Sequence, residues 1–410
     1  MKTVTYLRIL LVVTLMWLTG ARSQAQESVG DSIRVTLLTC SPGTKIYEIY
    51  GHTALRIQNF SKQYDAVFNY GVFSFEQPNF VLNFVLGKCD YCCEPIPYRY
   101  FIEEYVERGS SVTEQELNLT VDESNRLVDK LMWNIRPENK TYRYNFLLCN
   151  CTTRVRDVIE SVVDGRVEYT PASQGETFRS ILHTYTEGFD WYAVGNDILL
   201  GSSVDTIVTD RAAMFAPERM MAYADAAQIV DSEGVSRPMV NYKGFLLEKG
   251  QQVIEPVFPL SPLACSLIFV AILVAIMCVE IRIRRMLWGV DFVLMLAQGV
   301  AGLLIAFMFF FSKHPGVGSN WQIWVLNPLP LLCLPWVLMC AIKRRYCYFH
   351  IANLCGLIIF MIFYGLIPQV FCIIMLPLTI GLTTRPLSYL IYYRRAGISL
   401  MGKRRGAGDK

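Results

Sequence analysis

Residues 144–159 read YNFLLCNCTTRVRDVI and bring a cysteine to the start of an amphipathic helix. After Cys151 the apolar side chains recur at intervals of three and four residues, which is typical of a helix with one buried face. These positions are Val155, Val158, Ile159 and Val162. Asn150 is a candidate N-cap, and the unpaired N–H groups of a first helical turn favour a thiolate over a thiol. The stretch by itself is compatible with a cysteine nucleophile and equally with a buried structural or disulfide-bonded cysteine.

The chain of 410 residues is 53% hydrophobic and is predicted to divide near residue 260. Residues 1–25 combine a basic start, an apolar run and small residues, the pattern of a cleaved signal peptide. An exported domain is expected over residues 26–260, a transmembrane helical module over 261–395, and a basic cytoplasmic tail over 396–410. The net charge of +3 owes much to the basic clusters of the membrane part, so it gives no indication of nucleic-acid binding.

The second part of the chain contains apolar runs long enough, or nearly so, to cross a bilayer as helices. Five runs are predicted, at about 263–281, 289–312, 322–342, 349–366 and 368–384. Basic residues follow the first, third and fifth runs, so the positive-inside rule places the exported domain in the periplasm and the C-terminus in the cytoplasm. The last two runs form either two spans or one re-entrant hairpin, because Pro368 and Pro377 interrupt helices there.

The exported domain is predicted to be α+β, with an antiparallel sheet formed mainly by its front half and helices in its middle. Residues 54–58 and 66–73 are β-rich and flank a polar turn, which indicates a hairpin. Residues 76–108 contain three prolines and are predicted to hold one helix plus loops. A cap at Thr120 is expected to open a helix that continues through Trp133.

A thiol nucleophile generally needs a base, and the chain has four histidines. His350 falls on the predicted cytoplasmic side and His314 at the outer edge of the membrane. His183 has no polar company in the sequence and is expected to be a surface or core-edge residue. His52 follows Gly51, which permits close backbone approach, and leads directly into a strand. His52 is therefore the predicted base.

The hairpin supplies a candidate partner for this base. A turn near residues 61–62 places positions 69–71 opposite 52–54, so that the Asn69 amide could orient the imidazole. Because side chains alternate along a strand, a slip of one residue would exchange the candidates. Asp65 and Tyr70 are therefore alternative third members of the site.

Three motifs together resemble the bacteroidal lipoprotein N-acyltransferase family, whose members are permuted papain-like thiol enzymes. They are GHTALR at 51–56, FNYGVF at 68–73 and NCTTRVRD at 150–157. The resemblance covers most of the exported domain and extends to residues 312–329 of the membrane part. Cys149 departs from the family pattern, which has an acidic or other polar residue there, and the helix argument favours Cys151 as the nucleophile.

The resemblance implies transfer of an acyl chain from a membrane phospholipid to the free α-amino group of a diacylglyceryl-cysteine apolipoprotein. Cys151 would carry the acyl group as a thioester, His52 would move the protons and Asn69 would orient His52. The implied enzyme lies in the bacterial inner membrane with its catalytic domain in the periplasm, and needs no metal or diffusible cofactor.

Further residues are assigned secondary roles. Four residues in the motifs are expected to support the catalytic residues or to bind a lipid headgroup. They are Asn150, Arg154, Asp157 and Tyr70. A lipid entrance is hypothesised where the second and third spans emerge on the periplasmic side, at His314, Asn320 and Trp321. The alternative for the tryptophan is an ordinary interfacial anchor.

Three other interpretations use the same residues. A membrane-tethered periplasmic amidase or peptidase would use Cys151 and His52 but transfer to water. A set of cysteines in the exported domain could instead form disulfides or bind zinc. That set is Cys40, Cys89, Cys92, Cys93 and Cys149, together with Cys151. The last alternative is a membrane assembly or binding protein without enzymatic activity.

Overall fold

The computed structural model describes residues 32–76, 78–171, 175–252, 258–343 and 345–395. The expected signal peptide and basic tail lie outside the described residues. Within them, the first part of the chain mixes strands and helices. The strands are β1 (Ile33–Cys40), β2 (His52–Asn59), β3 (Tyr64–Val72), β4 (Asp90–Pro97), β5 (Val112–Leu117), β6 (Thr141–Arg143), β7 (Arg166–Glu168), β8 (Gln228–Val230), β9 (Ser236–Pro238) and β10 (Val240–Leu247).

The helices of this part connect and cover the strands. They are α1 (Phe80–Val85), α2 (Tyr98–Arg108), α3 (Val121–Asn134), α4 (Cys151–Glu160), α5 (Phe178–Tyr185), α6 (Asp190–Leu199), α7 (Asp210–Ala213) and α8 (Pro217–Ala226). The helix after Thr120 is confirmed, and Thr120 and Glu123 form a reciprocal capping box at its start. Residues 76–108 were expected to hold one helix plus loops, which is wrong, because they contain α1, β4 and α2. The prolines Pro95 and Pro97 lie in β4, which pairs with the short β6 only through its first residues.

A seven-stranded antiparallel sheet organises the domain, in the order β10-β5-β1-β2-β3-β4-β6. The predicted hairpin is confirmed as β2 and β3, which pair with Ala54 opposite Asn69. A separate three-stranded sheet has the order β7-β8-β9. The α+β class with an antiparallel sheet is therefore confirmed.

The central strands are buried on both faces, although they also carry buried polar side chains such as Thr36, Arg56 and Asn69. On one face Leu37, Leu55 and Phe68 pack with side chains of α3 and α4. On the other face Leu38 and Val67 pack against α2. Helix α4 thus lies against β2 and β3, and its first residue reaches the end of the sheet where β2 begins.

The second part of the chain is helical, as predicted. Its helices are α9 (Pro262–Ile283), α10 (Trp288–Phe311), α11 (Leu329–Ile342), α12 (Phe349–Phe363) and α13 (Met375–Arg395). Among the residues that the structure describes, three segments are long and apolar enough to cross a membrane, namely Pro262–Ile283, Trp288–Phe311 and Trp321–Ile342. The last of these begins with a 3-10 turn at Trp321–Trp324 before α11. Helix α12 is apolar but only 15 residues long.

The fifth helix does not coincide with the apolar run expected at 368–384. It begins at Met375 and continues to Arg395, so it includes Arg385 in a buried position. Arg385 forms two hydrogen bonds of 2.9 Å to Glu280 of α9 and two of 2.9 Å to Asp291 of α10. Two carboxylates make a buried guanidinium tolerable between helices. In the sequence Arg385 ends the apolar run, but in the structure its charge is paired and the helix continues past it.

Candidate active site

Cys151 is the first residue of α4, as the amphipathic pattern predicted. Asn150 caps the helix, because its side-chain oxygen accepts from the Thr153 N–H at 2.9 Å and its own N–H donates to Thr153 Oγ1 at 2.9 Å. The Asn150 amide nitrogen also donates to the carbonyls of Phe146 and Phe215, at 2.9 and 2.8 Å. Every polar group of the Asn150 side chain is thus used to fix the turn that presents the thiol.

The β2–β3 hairpin brings His52 to this thiol. His52 Nε2 lies 3.1 Å from Asn69 Oδ1, one of the three partners that the predicted hairpin allowed. The Cys151 sulfur lies beside the imidazole and interacts electrostatically with it. The His52 base, the Asn69 amide and the Cys151 sulfur are therefore neighbours in space, although 82 positions separate Asn69 from Cys151 in the sequence.

The electrostatics of the pair favour a charged thiolate. Burial raises the pKa of the Cys151 thiol, but the charge of His52 and hydrogen bonds from His52, the Thr53 backbone and Thr152 lower it from 9.0 to about 7. Burial lowers the pKa of His52, but the charge of Cys151 and hydrogen bonds with Cys151 and Asn69 outweigh it, so that this pKa is raised above 6.5. A thiolate beside an imidazolium is the form in which a cysteine attacks a carbonyl.

The alternative partners of His52, Asp65 and Tyr70, form hydrogen bonds with other residues. Asp65 is paired with Arg56, with contacts of 2.8 and 2.6 Å. The Tyr70 hydroxyl accepts a hydrogen bond of 2.6 Å from the Asn134 amide, and burial raises the pKa of Tyr70. Of the three candidates considered, Asn69 is the one in contact with the imidazole.

Two further members of the predicted supporting set lie on the outer turns of α4. The Arg154 guanidinium lies over the rings of Tyr70 and Tyr142, at 5.6 and 5.0 Å from their centroids. Asp157 is bridged by Arg156 and Arg211, at 2.7 and 2.8 Å. These contacts hold α4 against its neighbours, since none of them involves the sulfur.

Two glycines next to the site have backbone conformations that other residues rarely adopt. Gly51 has φ of 69°, and a Cβ there would lie 2.6 Å from the Cys40 carbonyl oxygen. Gly71 has φ of 90°, and a Cβ there would lie 3.7 Å from Cys151 Cβ and 4.0 Å from the Tyr142 hydroxyl. Both positions use the left-handed region that favours glycine.

The structure bears on the other roles considered for the cysteines, as disulfide partners or zinc ligands. All thirteen cysteines of the sequence are in the described residues and all are unbonded. Burial raises the pKa of Cys149, opposite to the shift at Cys151, so the electrostatics single out Cys151 of the pair. In the part of the chain that the structure describes, no three His, Cys, Asp or Glu side chains are grouped so as to hold a metal ion.

Three residues beside the thiol were not predicted as members of the site. Thr53 and Thr152 join the hairpin to α4 through their hydroxyls, 3.1 Å apart. The Tyr142 hydroxyl is buried next to Gly71 and has no hydrogen-bond partner among the described residues. Tyr142 belongs to β6, a strand of three residues at the sheet edge, which is too short for a periodic signal.

The membrane module contacts the domain at the residues singled out for a lipid entrance. His314 Nε2 lies 2.6 Å from the carbonyl oxygen of Phe84 in α1. Asn320 is 2% exposed, and its amide donates to the Ile198 carbonyl at 2.8 Å. Trp321 is 40% exposed beside it. Asn320 therefore joins the domain to the membrane module instead of facing an opening.

His183 is a surface residue with 43% of its side chain exposed, as expected, and it also has a polar partner. Its Nε2 lies 2.9 Å from Asp197 Oδ1. Asp197 lies on the next helix, α6, so this contact could not be seen from residues adjacent in sequence. The pair lies with Arg179 at the junction between the two parts of the chain, away from the reactive sulfur.

Comparison with protein families gives two matches that together span most of the chain. Residues 22–184 match the Lnb N-terminal periplasmic domain. Residues 253–396 match the Lnb transmembrane domain. Comparison with curated proteins and with solved structures found no match. The matched segments correspond to the sheet domain with its thiol and to the five-helix module.

Proposed function

Because the chain belongs to the Lnb family of bacteroidal lipoprotein N-acyltransferases, and is a membrane protein with a periplasmic domain, we propose that it N-acylates lipoproteins. The acyl donor is a membrane phospholipid, and the acceptor is the α-amino group of a diacylglyceryl-cysteine apolipoprotein. The observation that carries the proposal is the contact of the low-pKa Cys151 with an imidazole that Asn69 orients.

In the first half-reaction His52 holds the proton of Cys151, and the thiolate attacks the ester carbonyl of the phospholipid. The tetrahedral intermediate collapses when the carbon–oxygen bond of the ester breaks, and His52 gives its proton to the leaving lysophospholipid oxygen. The acyl group is then held as a thioester on Cys151.

In the second half-reaction the lipoprotein amine attacks the thioester. His52 takes a proton from the nitrogen, the carbon–sulfur bond breaks and the thiolate of Cys151 is regenerated. The products are an amide and the resting enzyme, so no external oxidant, reductant or cofactor enters the balance.

Two groups of donors face the place where negative charge develops. The N–H groups of Cys151 and Thr152 lie in the first turn of α4, where no intrahelical carbonyl is available to them. The Tyr142 hydroxyl is buried beside the thiol with no partner among the described residues, so it is free to donate to an oxyanion. Its otherwise costly burial is explained if it acts on the reacting ester.

The test uses a reporter apolipoprotein in cells that lack another N-acyltransferase. We expect Cys151→Ser and His52→Ala to leave the N-terminal peptide one acyl chain lighter by mass spectrometry. We expect Tyr142→Phe to lower the rate of thioester formation about 100- to 1,000-fold, the usual cost of losing one oxyanion donor. Cys149→Ser serves as the matched control and should give full N-acylation.

The same experiment separates the competing hydrolytic function. An amidase or peptidase would release free fatty acid or a cleaved peptide through Cys151 and His52 without extending the lipoprotein. Full N-acylation by the Cys151→Ser variant would remove the thiol from the mechanism and overturn the proposal.

A further inference from the structure

Helix α1 presents apolar side chains away from the domain. Phe80 is its one residue buried in the fold, whereas Val81 is 73% exposed, Leu82 51% and Phe84 46%. Phe75, just before the helix, is 66% exposed. A contiguous apolar face of this kind is rare on a surface that meets only water.

The helix is fastened to the end of a membrane-crossing helix. The Leu86 carbonyl accepts from the Lys313 N–H at 2.9 Å, and His314 Nε2 lies 2.6 Å from the Phe84 carbonyl oxygen. A Cβ at Gly87 would lie 2.8 Å from the His314 nitrogen, so the two backbones are in direct contact. These membrane residues directly follow α10, whose end marks the periplasmic face of the bilayer.

The neighbouring surface of α10 is also apolar and open. Phe310 and Phe311, its last two residues, are 69% and 65% exposed. Their rings lie where a helix leaves the hydrocarbon, so lipid surrounds them. The exposed face of α1 continues this lipid-facing surface onto the periplasmic domain.

A series of aromatic rings leads from this face into the domain. Phe84 stacks with Phe80 at 6.2 Å between centroids, and Phe80 stacks with Phe73 at 5.6 Å. Phe73 then stacks with Tyr91 at 4.8 Å, and Tyr91 with Tyr144 at 4.1 Å. The rings form a continuous apolar wall, since neighbouring centroids are all within contact distance.

The inner end of the series is the thiol. Tyr144 and Tyr142 pack on the same cluster, and the charge of Cys151 contributes to raising the pKa of both, after the larger effect of burial. The Tyr142 hydroxyl and Cys151 lie on either side of the Gly71 position. Packed aromatic rings therefore extend from the exposed face of α1 to the neighbourhood of Cys151.

We propose that α1 is inserted among the acyl chains of the periplasmic leaflet, and that its exposed face and the ring series guide a phospholipid acyl chain to Cys151. The occupant of the face is membrane lipid, because the face is continuous with the lipid-facing end of α10. Insertion of α1 is a property of the fold, whereas guidance of the chain rests on the proposed acyl transfer.

Insertion is tested by photo-crosslinking in the full-length protein, reconstituted in nanodiscs with fluorescent phosphatidylethanolamine. A benzophenone amino acid replaces Leu82, and a matched control replaces Val235, which is 61% exposed. Val235 lies between β8 and β9 of the small sheet. The first strand of that sheet, β7, follows the C-terminal end of α4, whereas Cys151 is at the N-terminal end. We expect a lipid adduct at position 82 and none at 235. Equal labelling at the two positions would overturn the insertion.

Guidance is tested by placing a charge on the inserted face. We expect Leu82→Glu to lower thioester formation from vesicle phospholipid at least about tenfold, because a carboxylate is excluded from hydrocarbon. Acylation of Cys151 by a water-soluble p-nitrophenyl ester should stay unchanged, and Val235→Glu should change neither reaction. Full activity of Leu82→Glu on vesicles would overturn the guidance.

The two proposals fail in different ways. If the lipid adduct forms at Leu82 but Cys151→Ser still supports N-acylation, the proposed function is wrong and the insertion of α1 stands. If Cys151 proves essential but no adduct forms, the acyltransferase proposal stands and α1 is not a membrane element.

Discussion

At the scale of single residues, the charge state of Cys151 is decided by its neighbours on the hairpin. Burial acts against the thiolate, and the charge and hydrogen bond of His52 act for it. With a pKa of about 7, roughly half of the thiol is ionised at neutral pH. Asn69 contributes indirectly, because it holds the ring that stabilises the sulfur.

Alkylation of Cys151 by iodoacetamide should therefore follow a titration with a midpoint near pH 7. In His52→Ala the lowering contributions of the imidazole are lost while burial stays, so the pKa should rise toward or above 9.0. At pH 7 the thiolate fraction, and with it the alkylation rate, should then fall about 50-fold. The rate is read from the Cys151 peptide by mass spectrometry, because the chain has thirteen cysteines.

Cys149→Ser is the control for this titration, and it should keep the midpoint of Cys151 near pH 7. A midpoint that does not move in His52→Ala would show that the imidazole does not stabilise the thiolate. The readout depends on ionisation alone, so it tests the pair even if the acyl donor is misidentified.

The residues of this pair could be predicted because each carries a local signal. Cys151 follows a capping residue at the start of an amphipathic stretch, and His52 follows a glycine at the start of a strand. The choice of Asn69 over Asp65 needed the hairpin register and could not be made from the sequence. Tyr142 had no such signal, since its unpartnered hydroxyl is a property of packing.

At the scale of elements, α5, α6 and the following turn are fixed by one buried guanidinium. Arg179 is 1% exposed, and it donates to Asp197 at 2.7 Å and to Asp205 at 2.6 Å. It also donates to the carbonyls of Leu200 and Gly201, both at 3.1 Å. These groups belong to the surface that receives the membrane module.

Two of these acceptor oxygens also bind the membrane loops. Asp205 Oδ2 accepts from the Val370 N–H at 3.1 Å, and the Leu200 carbonyl accepts from the Gln369 amide at 3.3 Å. Arg179 therefore positions the residues that hold the two parts of the chain together. This network was not predicted, because its partners are separated by 18 to 26 residues and two helices.

Replacing Arg179 by leucine should destabilise the protein by about 3–5 kcal/mol, because two buried carboxylates lose their counter-charge. The loss is measured as the shift in urea unfolding of the full-length protein in detergent. The matched control is Arg211→Leu, whose guanidinium pairs with Asp157 and Glu160 on the surface with 55% of its side chain exposed. Surface pairs contribute only about 0–1 kcal/mol, so equal losses in the two variants would contradict the role of Arg179.

At the scale of the whole molecule, the periplasmic domain rests on one end of the helical module. It contacts the end of α10 through Lys313, and the chain between α12 and α13 through Gln369 and Val370. The opposite end holds the ion cluster of Arg385 with Glu280 and Asp291. Helix α12 extends only about 22 Å, less than the roughly 30 Å of hydrocarbon, so a crossing at this position would need the residues that flank it.

The fold classes of the two parts of the chain are what the sequence predicts best, because they follow from β-rich runs in the first part and long apolar runs in the second. The bounds of the last helix were predicted poorly, since Arg385 is neutralised by carboxylates from α9 and α10 that lie about 100 residues earlier. Periodicity describes one segment at a time, and a charge pair between helices is invisible to it.

The contact of Gln369 with the periplasmic domain decides between two spans and a re-entrant hairpin from the cytoplasm. Because the chain reaches the Leu200 carbonyl there, α12 should carry it to the periplasmic side and α13 should return it. Alkaline phosphatase fused after Gln369 should therefore be active. The same enzyme fused after Lys410 should be inactive, and a fluorescent protein fused there should fluoresce, because the positive-inside rule places the C-terminus in the cytoplasm. A fusion after Lys313, at the end of α10, is the positive control for periplasmic exposure. An inactive fusion after Gln369 would mean that α12 and α13 do not cross, and an active one after Lys410 would place the C-terminal basic residues on the wrong side of the membrane.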